Sequence, residues 1–213
     1  ASHLAIGEAF RAIARGVADV CICGGAESKD NPMALVRQSL GKRVSTRNDS
    51  PETACRPFAK GRDGTVVSEG GGLVILEELE HAQKRGARIY GEVIGFGAAN
   101  DVYKAGQPSE LSPDGRGLAL AMRKALKDAG VGPESVDLVA ASGYGAVATD
   151  RVEAAALKSV FGDRLADVPL LSIKGGIGNN GAGSGAIDFI AGALCTRNNT
   201  IPPAINSQDV DPE

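Results

Sequence analysis

Tryptophan is absent from this chain, and histidine nearly so: His3 and His81 are the only two. A metal centre built on two histidines would need both, and neither has a helpful neighbour. His81 sits in the polar run L-E-H-A-Q-K-R and reads as a solvated helix residue. Aromatics make up 4% of the chain, so packing must rely on small and aliphatic side chains. No run of about 18 apolar residues occurs, which excludes a helical membrane span. No signal peptide is discernible. Net charge is −3, with both signs spread along the chain. There is thus no basic stripe for nucleic acid and no acidic tail. The cysteines, Cys21, Cys23, Cys55 and Cys195, lack C-x-x-C spacing. They read as reduced core thiols of a cytoplasmic protein.

Glycine, by contrast, is plentiful at 29 of 213 residues, about twice the usual share. The 43% hydrophobic and 23% charged composition is ordinary for a globular chain. The length allows one large domain or two small ones with a sizeable core. Both ends read as cut. Ala1 already lies inside a helical pattern, and the chain stops at D-V-D-P-E.

Periodicity predicts a helix over 2–15, with Ser2 a candidate N-cap and Gly16 a stop. A buried strand at A-D-V-C-I-C follows, then a helix at 32–40 with Asn31 as cap and Pro32 in first position. Residues 41–65 read as a long polar loop. Strand G-G-L-V-I-L-E-E leads into the helix E-L-E-H-A-Q-K-R-G, and A-R-I-Y-G-E-V-I-G-F-G alternates as a strand. Residues 101–113 read as a loop. G-L-A-L-A-M-R-K-A-L-K-D-A-G is a strongly amphipathic helix stopped by Gly130. Strand V-D-L-V-A-A, a helix capped by Thr149 or Asp150, strand V-P-L-L-S and the helix A-I-D-F-I-A-G-A-L-C complete the series, and T-I-P-P-A-I-N is extended. Alternating helix and strand argue an α/β fold, largely parallel, with some small-residue helices buried between sheets.

Residues 172–185, S-I-K-G-G-I-G-N-N-G-A-G-S-G, carry one charge, Lys174, in a glycine-rich turn between strand and helix. Such a turn can cradle phosphate on a helix N-terminus. The phosphate-loop pattern needs its lysine after the glycines, whereas Lys174 precedes them. The dinucleotide pattern needs an acid about 20 residues on, where the sequence reads C-T-R-N-N-T. The glycines also serve close packing and positive φ alone. Lys174 then either feels a perturbing environment or holds a neighbouring acid.

The run D-S-P-E-T-A-C-R-P-F-A-K-G-R-D-G-T-V-V-S-E-G-G-G-L-V-I-L-E-E-L-E-H-A-Q-K-R-G-A-R-I-Y-G-E-V resembles β-ketoacyl-acyl-carrier-protein synthases of the elongating type. A-D-V-C-I-C-G-G-A-E, L-S-P-D-G-R-G-L-A-L-A-M-R-K-A-L-K-D-A-G and T-I-P-P-A-I-N extend the resemblance over essentially the whole chain. It implies a thiolase-like fold, layered α-β-α-β-α, in two similar halves. Residues 1–100 would be the end of the first half, and 101–213 a truncated second half. It implies a dimer, homomeric or with a ketosynthase, and substrates carried on the phosphopantetheine of acyl carrier protein, with no other cofactor and no metal. The implied reaction is decarboxylative condensation of malonyl-carrier protein with an acyl thioester, in fatty acid or polyketide synthesis. The family's nucleophilic cysteine would lie about two residues before Ala1, at a helix N-terminus whose dipole favours a thiolate.

Two histidines complete the site in that family. The first belongs to an N-A-H-G-T-x-T-like motif; here A-A-S-G-Y-G-A puts Ser142 in its place, with Asp150 matching the downstream aspartate. The second belongs to a T-K-x-x-x-G-H-like motif; here I-K-G-G-I-G-N keeps Lys174 and Gly178 and puts Asn179 in place of the ring. Glu69, in S-E-G-G-G, matches a further family acid. For Glu69 and Asp150 a structural role outweighs a catalytic one. Neither Ser142 nor Asn179 can change charge near pH 7 as imidazole does. Losing one oxyanion donor costs about 10²–10³ in rate. The resemblance thus points to a non-condensing partner subunit like a chain-length factor. The alternatives are a divergent but active acyl-transferring enzyme, and a structural protein that has kept only the fold.

Overall fold

The computed structural model describes residues 1–101 and 112–212. The loop expected over 101–113 therefore lies mostly outside the described residues. The helices are α1 (Ser2–Ala14), α2 (Pro32–Leu40), α3 (Leu79–Lys84), α4 (Arg116–Ala129), α5 (Val147–Phe161), α6 (Lys174–Ile177) and α7 (Ser184–Asn198). The strands are β1 (Val20–Ser28), β2 (Glu69–Glu77), β3 (Val139–Ala140) and β4 (Leu170–Leu171).

Local chemistry sets several boundaries. Asn31 Oδ1 accepts from Ala34 N at 2.9 Å, with Pro32 in the first turn of α2. This is the N-cap read from the sequence. Gly130 ends α4 in the left-handed region at φ 69°, a conformation glycine adopts without penalty. At α5 the expected cap is corrected. The N-cap position is Ala146, and both Thr149 and Asp150 lie inside the first turn. Asp150 reaches back to the preceding loop instead of capping its own helix. Ser2 is likewise not the cap of α1, which is Ala1. Its hydroxyl accepts from Ala186 N at 2.9 Å and pins α1 to α7.

The expectation of largely parallel strands also needs correcting. β1 and β2 pair antiparallel over their whole length, Val20 opposite Glu77 through Ser28 opposite Glu69. Among these four strands β3 and β4 run parallel, and isolated parallel bridges join Val44 to Thr65 and Val67 to Asn179. Cys21 and Cys23 share the inner face of β1. Cys23, Ile6, Ala9 and Ala186 form one core cluster, joined by Cys21, Val74, Leu76 and Phe189. Helix α7 touches α1, both strands of the first sheet and β3, so it lies between the two sheets. Its small residues make that possible: Ala186 is fully buried. A second cluster, Ala119, Ala156, Leu157, Val160, Phe161 and Val168, joins α4, α5 and the approach to β4.

The strand expected over 87–97 does not form. These residues take no ladder partner among the described residues. They run along α4 instead, in close backbone contact. A Cβ at Gly97 would lie 2.1 Å from Ala121 O, and one at Gly95 would lie 2.5 Å from Ala125 O. Residues 174–177, read as loop, form the single turn α6.

Candidate functional site

β3 ends at Ala140, and the chain turns through Ser142, Gly143, Tyr144 and Gly145 into α5. Gly143 and Gly145 have φ of 50° and 82°, values that exclude most side chains. Two acids from the first turns of α5 hold this loop by its amides. Glu153 accepts from Ser142 N at 2.6 Å and Gly143 N at 2.9 Å. Asp150 accepts from Gly145 N at 3.0 Å. Three N–H groups of this loop are thus captured by two carboxylates. The acids lie three residues apart, so both face the same way from one helix.

Asp150 does more than hold the loop. Its side chain is fully buried, and it accepts from Phe58 N at 2.9 Å with Arg62 Nε at 3.5 Å. Arg62 continues the network to Asp211 at 2.6 Å and to Ala59 O at 2.9 Å. Phe58 is held at φ 56°, a region aromatic residues rarely occupy. The amide–Asp150 bond stabilises that backbone. Burial pushes the Asp150 carboxyl up from its ordinary value, while the amides of Phe58 and Gly145 and the charge of Arg62 pull it back. Burial likewise raises the Glu153 carboxyl, its two amide donors opposing and Asp150 adding to the rise.

Lys174 opens α6 and is 2% exposed. Its Nζ lies 2.7 Å from Asp188 Oδ2, inside α7. Burial raises the Asp188 carboxyl, and the Lys174 charge opposes it. The Lys174 charge also acts on Glu153, Cys55 and His3. His3, in the first turn of α1, lies over Gly185. A Cβ there would fall 2.9 Å from the His3 Nδ1 atom. The ring stays open to solvent on one side. Burial of the other side lowers its pKa, Asp188 opposing and Lys174 adding to the fall.

Asn179 follows Gly178, which turns the chain at φ 70°. Its backbone bridges the segment before β2: Asn179 N donates to Val66 O at 2.8 Å, and Ser68 N donates to Asn179 O at 3.1 Å. The side-chain oxygen accepts from Gly181 N at 3.0 Å and from the Ser184 hydroxyl at 3.1 Å. Both lone pairs are then occupied. Asn179 is 5% exposed.

The structure therefore brings Ser142, Asn179 and Lys174 into one region. The paired strands β3 and β4 carry the two loops side by side: Ala141 N donates to Leu171 O at 2.9 Å, and a Cβ at Gly143 would fall 2.1 Å from Ser172 Oγ. The Lys174 field reaches Glu153 beneath Ser142. Ser142 itself is exposed, and its backbone, not its hydroxyl, takes part in the loop clamp. Asp150 acts from beneath the loop. The Glu69 carboxylate turns away to the Ser28 hydroxyl at 2.8 Å, while its carbonyl accepts from Asn180 Nδ2 at 2.8 Å. Sequence reasoning missed Glu153, Asp188 and His3. Asp188 had a signal: a lone acid in an apolar helix needs a partner, and Lys174 is the only charge in the preceding turn. Among the described residues no group of three or more His, Cys, Asp or Glu is arranged to hold a metal ion. No helix of the described residues is long and apolar enough to cross a membrane.

A thiolase-like α/β frame with a lysine turn facing an amide-clamped loop defines a class. Residues 1–82 match the model of the β-ketoacyl synthase N-terminal domain, and residues 90–208 that of its C-terminal domain. The chain belongs to the β-ketoacyl synthase family. Among individual proteins, it is 42% identical to the 3-oxoacyl-[acyl-carrier-protein] synthase 2 of Coxiella burnetii over 97% of this chain and 49% of that protein. It is 41% identical to the synthase of the same name from Synechocystis sp., over 98% of this chain and 50% of that one. The chain thus spans about half the length of these relatives. Two solved structures share the fold at 34% identity. One is the type II polyketide synthase complex AntDE:AntF, described as an acyl-carrier protein with its ketosynthase bound to the hexaketide. It has a TM-score of 0.91 over 97% of this chain and 50% of that one. The other is the ishigamide ketosynthase/chain length factor, with a TM-score of 0.89 over 100% of this chain and 49% of that one.

Proposed function

We propose that the protein is a non-condensing, ketosynthase-like subunit that pairs with an active ketosynthase and shapes the space for a growing acyl chain. The chain would be carried on acyl carrier protein, and the pairing would be heterodimeric. One observation carries the reading: Asn179, at the second histidine position, spends its amide inside the protein. Both lone pairs of its oxygen are taken by Gly181 and Ser184, and the side chain is buried. It has little left to hold a thioester enolate. Ser142, at the first position, has a side chain too short to reach where an imidazole would. Condensation needs donors set for charge that develops in the transition state, and neither residue supplies one. Lys174 keeps its position because Asp188 needs it, whether or not chemistry occurs. Asp150 and Glu69 are structural members of the site.

The neighbour described as a ketosynthase/chain length factor supports this reading. The higher identity to curated 3-oxoacyl synthases favours a second one, an active divergent enzyme with a cysteine upstream of Ala1. Purified full-length protein separates the two. Incubated alone with acyl- and malonyl-carrier protein, it should give no condensation product and no acyl-enzyme mass, and it should copurify with a distinct ketosynthase. Condensation by the protein alone would overturn the reading.

A further inference from the structure

We propose that Arg62 is a positioning residue of the site: held by the C-terminal segment through Asp211, its buried guanidinium keeps the Asp150 carboxylate where it fixes the main chain at Phe58 and Gly145. This inference goes beyond the reading of a non-condensing subunit and does not depend on it. Asp150 sits in the motif that carries Ser142, whereas Arg62 belongs to the polar loop over 41–65.

The Asp150 side chain has no exposed surface, and that of Arg62 is 4% exposed. A carboxylate buried this way keeps its charge only beside a cation. Arg62 Nε, 3.5 Å from Asp150 Oδ2, is the cation paired with it. With the charge kept, both oxygens remain acceptors. Oδ1 takes Gly145 N at 3.0 Å, and Oδ2 takes Phe58 N at 2.9 Å. Protonation would turn one oxygen into a donor facing an amide N–H. Arg62 is itself anchored: its Nη1 donates to Asp211 Oδ2 at 2.6 Å and to Ala59 O at 2.9 Å. Asp211 lies in a segment stitched to the same loop. Ala59 and Val210 form an antiparallel bridge, Lys60 N donates to Asp209 O at 2.7 Å, and the Ser207 hydroxyl donates to Pro57 O at 2.8 Å. The two acids also bracket Phe58. Its N–H goes to Asp150, and its carbonyl accepts from Asp211 N at 2.8 Å. Its left-handed backbone, at φ 56°, is thus tied on both sides. An aromatic residue persists in that region only when its surroundings hold it there. At Gly145 the two loops meet closely. A Cβ there would lie 3.2 Å from Gly64 O and 3.6 Å from Arg56 N. The turn that carries Ser142 is therefore seated on the loop that carries Arg62.

Hydrogen exchange read at single amides of the full-length protein, at one pH, is the test. Arg62→Met removes the charge and keeps the bulk, and Arg62→Lys keeps the charge. In Arg62→Met the amides of Phe58 and Gly145 should exchange about 10–100-fold faster than in the wild type. Those of Ser142 and Gly143, bonded to Glu153, should change little. Arg62→Lys should return Phe58 and Gly145 most of the way to wild-type rates, which a role in packing alone would not do. Should Arg62→Met fail to fold, Arg62→Gln replaces it, uncharged but able to hydrogen-bond. Unchanged exchange at Phe58 or at Gly145 overturns the proposal. So does equal acceleration at all of these amides, the mark of general loosening, or a lysine variant as fast as the methionine one. Condensation by the wild type, measured in parallel, would overturn the non-condensing reading without touching this result.

Discussion

Replacing Lys174 by methionine leaves a buried carboxylate without its cation. The side chains of the pair are 2% and 7% exposed, and Nζ–Oδ2 is 2.7 Å. Removing one member of a buried pair costs about 3–5 kcal/mol, because the other charge stays desolvated. Replacing both with apolar residues of similar size is often neutral or even stabilising. Lys174→Met should therefore cost about 3–5 kcal/mol near pH 8, and the Lys174→Met/Asp188→Leu double variant much less than either single change. The sign of the pH dependence follows from Asp188. Burial already raises its pKa, and loss of the lysine removes the charge that opposed the rise. A raised carboxyl binds its proton more tightly folded than unfolded. Its stability contribution is present at low pH and is lost as pH rises through the folded value. The Lys174→Met deficit should shrink on acidification from pH 8 toward about 5, still above the unfolded aspartate value of about 3.9. Urea unfolding of the full-length protein at several pH values, with linear extrapolation, measures this. A single-variant cost below about 1 kcal/mol at pH 8, or a double variant as damaged as the sum of the singles, would refute the burial argument.

Glu153→Gln should free the loop it clamps. One acceptor is lost, and an amide N–H is set against a backbone donor, a cost of about 1–3 kcal/mol. Faster hydrogen exchange at Ser142 and Gly143 is the readout, and unchanged exchange would count against the clamp. His3 titrates in the opposite sense from Asp188. Burial lowers its pKa, so the folded state resists protonation, and stability should fall as pH drops below about 6.5. His3→Gln should flatten that part of the profile, and identical wild-type and variant profiles between pH 5 and 7.5 would contradict it.

Local signals in the sequence reached well into this fold. Asn31 and Pro32 announce α2, and Gly130 announces the end of α4, because caps and stops depend on a few neighbouring atoms. The 87–97 segment shows where such reasoning stops. Its alternation reads as a strand, yet Gly95 and Gly97 are there to let α4 approach, a requirement set by a helix more than twenty residues away. The antiparallel pairing of β1 with β2 was equally out of reach, since strand direction is decided by the path between them. At the site, motif spacing located Lys174, Ser142 and Asn179. What each touches depends on partners distant in sequence: Asp188 is fourteen residues from Lys174, and Asn179 is bonded to Val66 and Ser68, far earlier in the chain. The turn at Ser2 failed for the same reason. A serine before a helical run suggests a cap, but its hydroxyl is claimed by Ala186, far along the chain.

Glu153 and Asp150 grip the chain at 142–145 by its peptide groups and leave the side chains out of the bargain. The residue at 142 can then be exchanged without altering the path of the main chain around it. Such an arrangement makes the course of the main chain independent of the side chain it presents at that point.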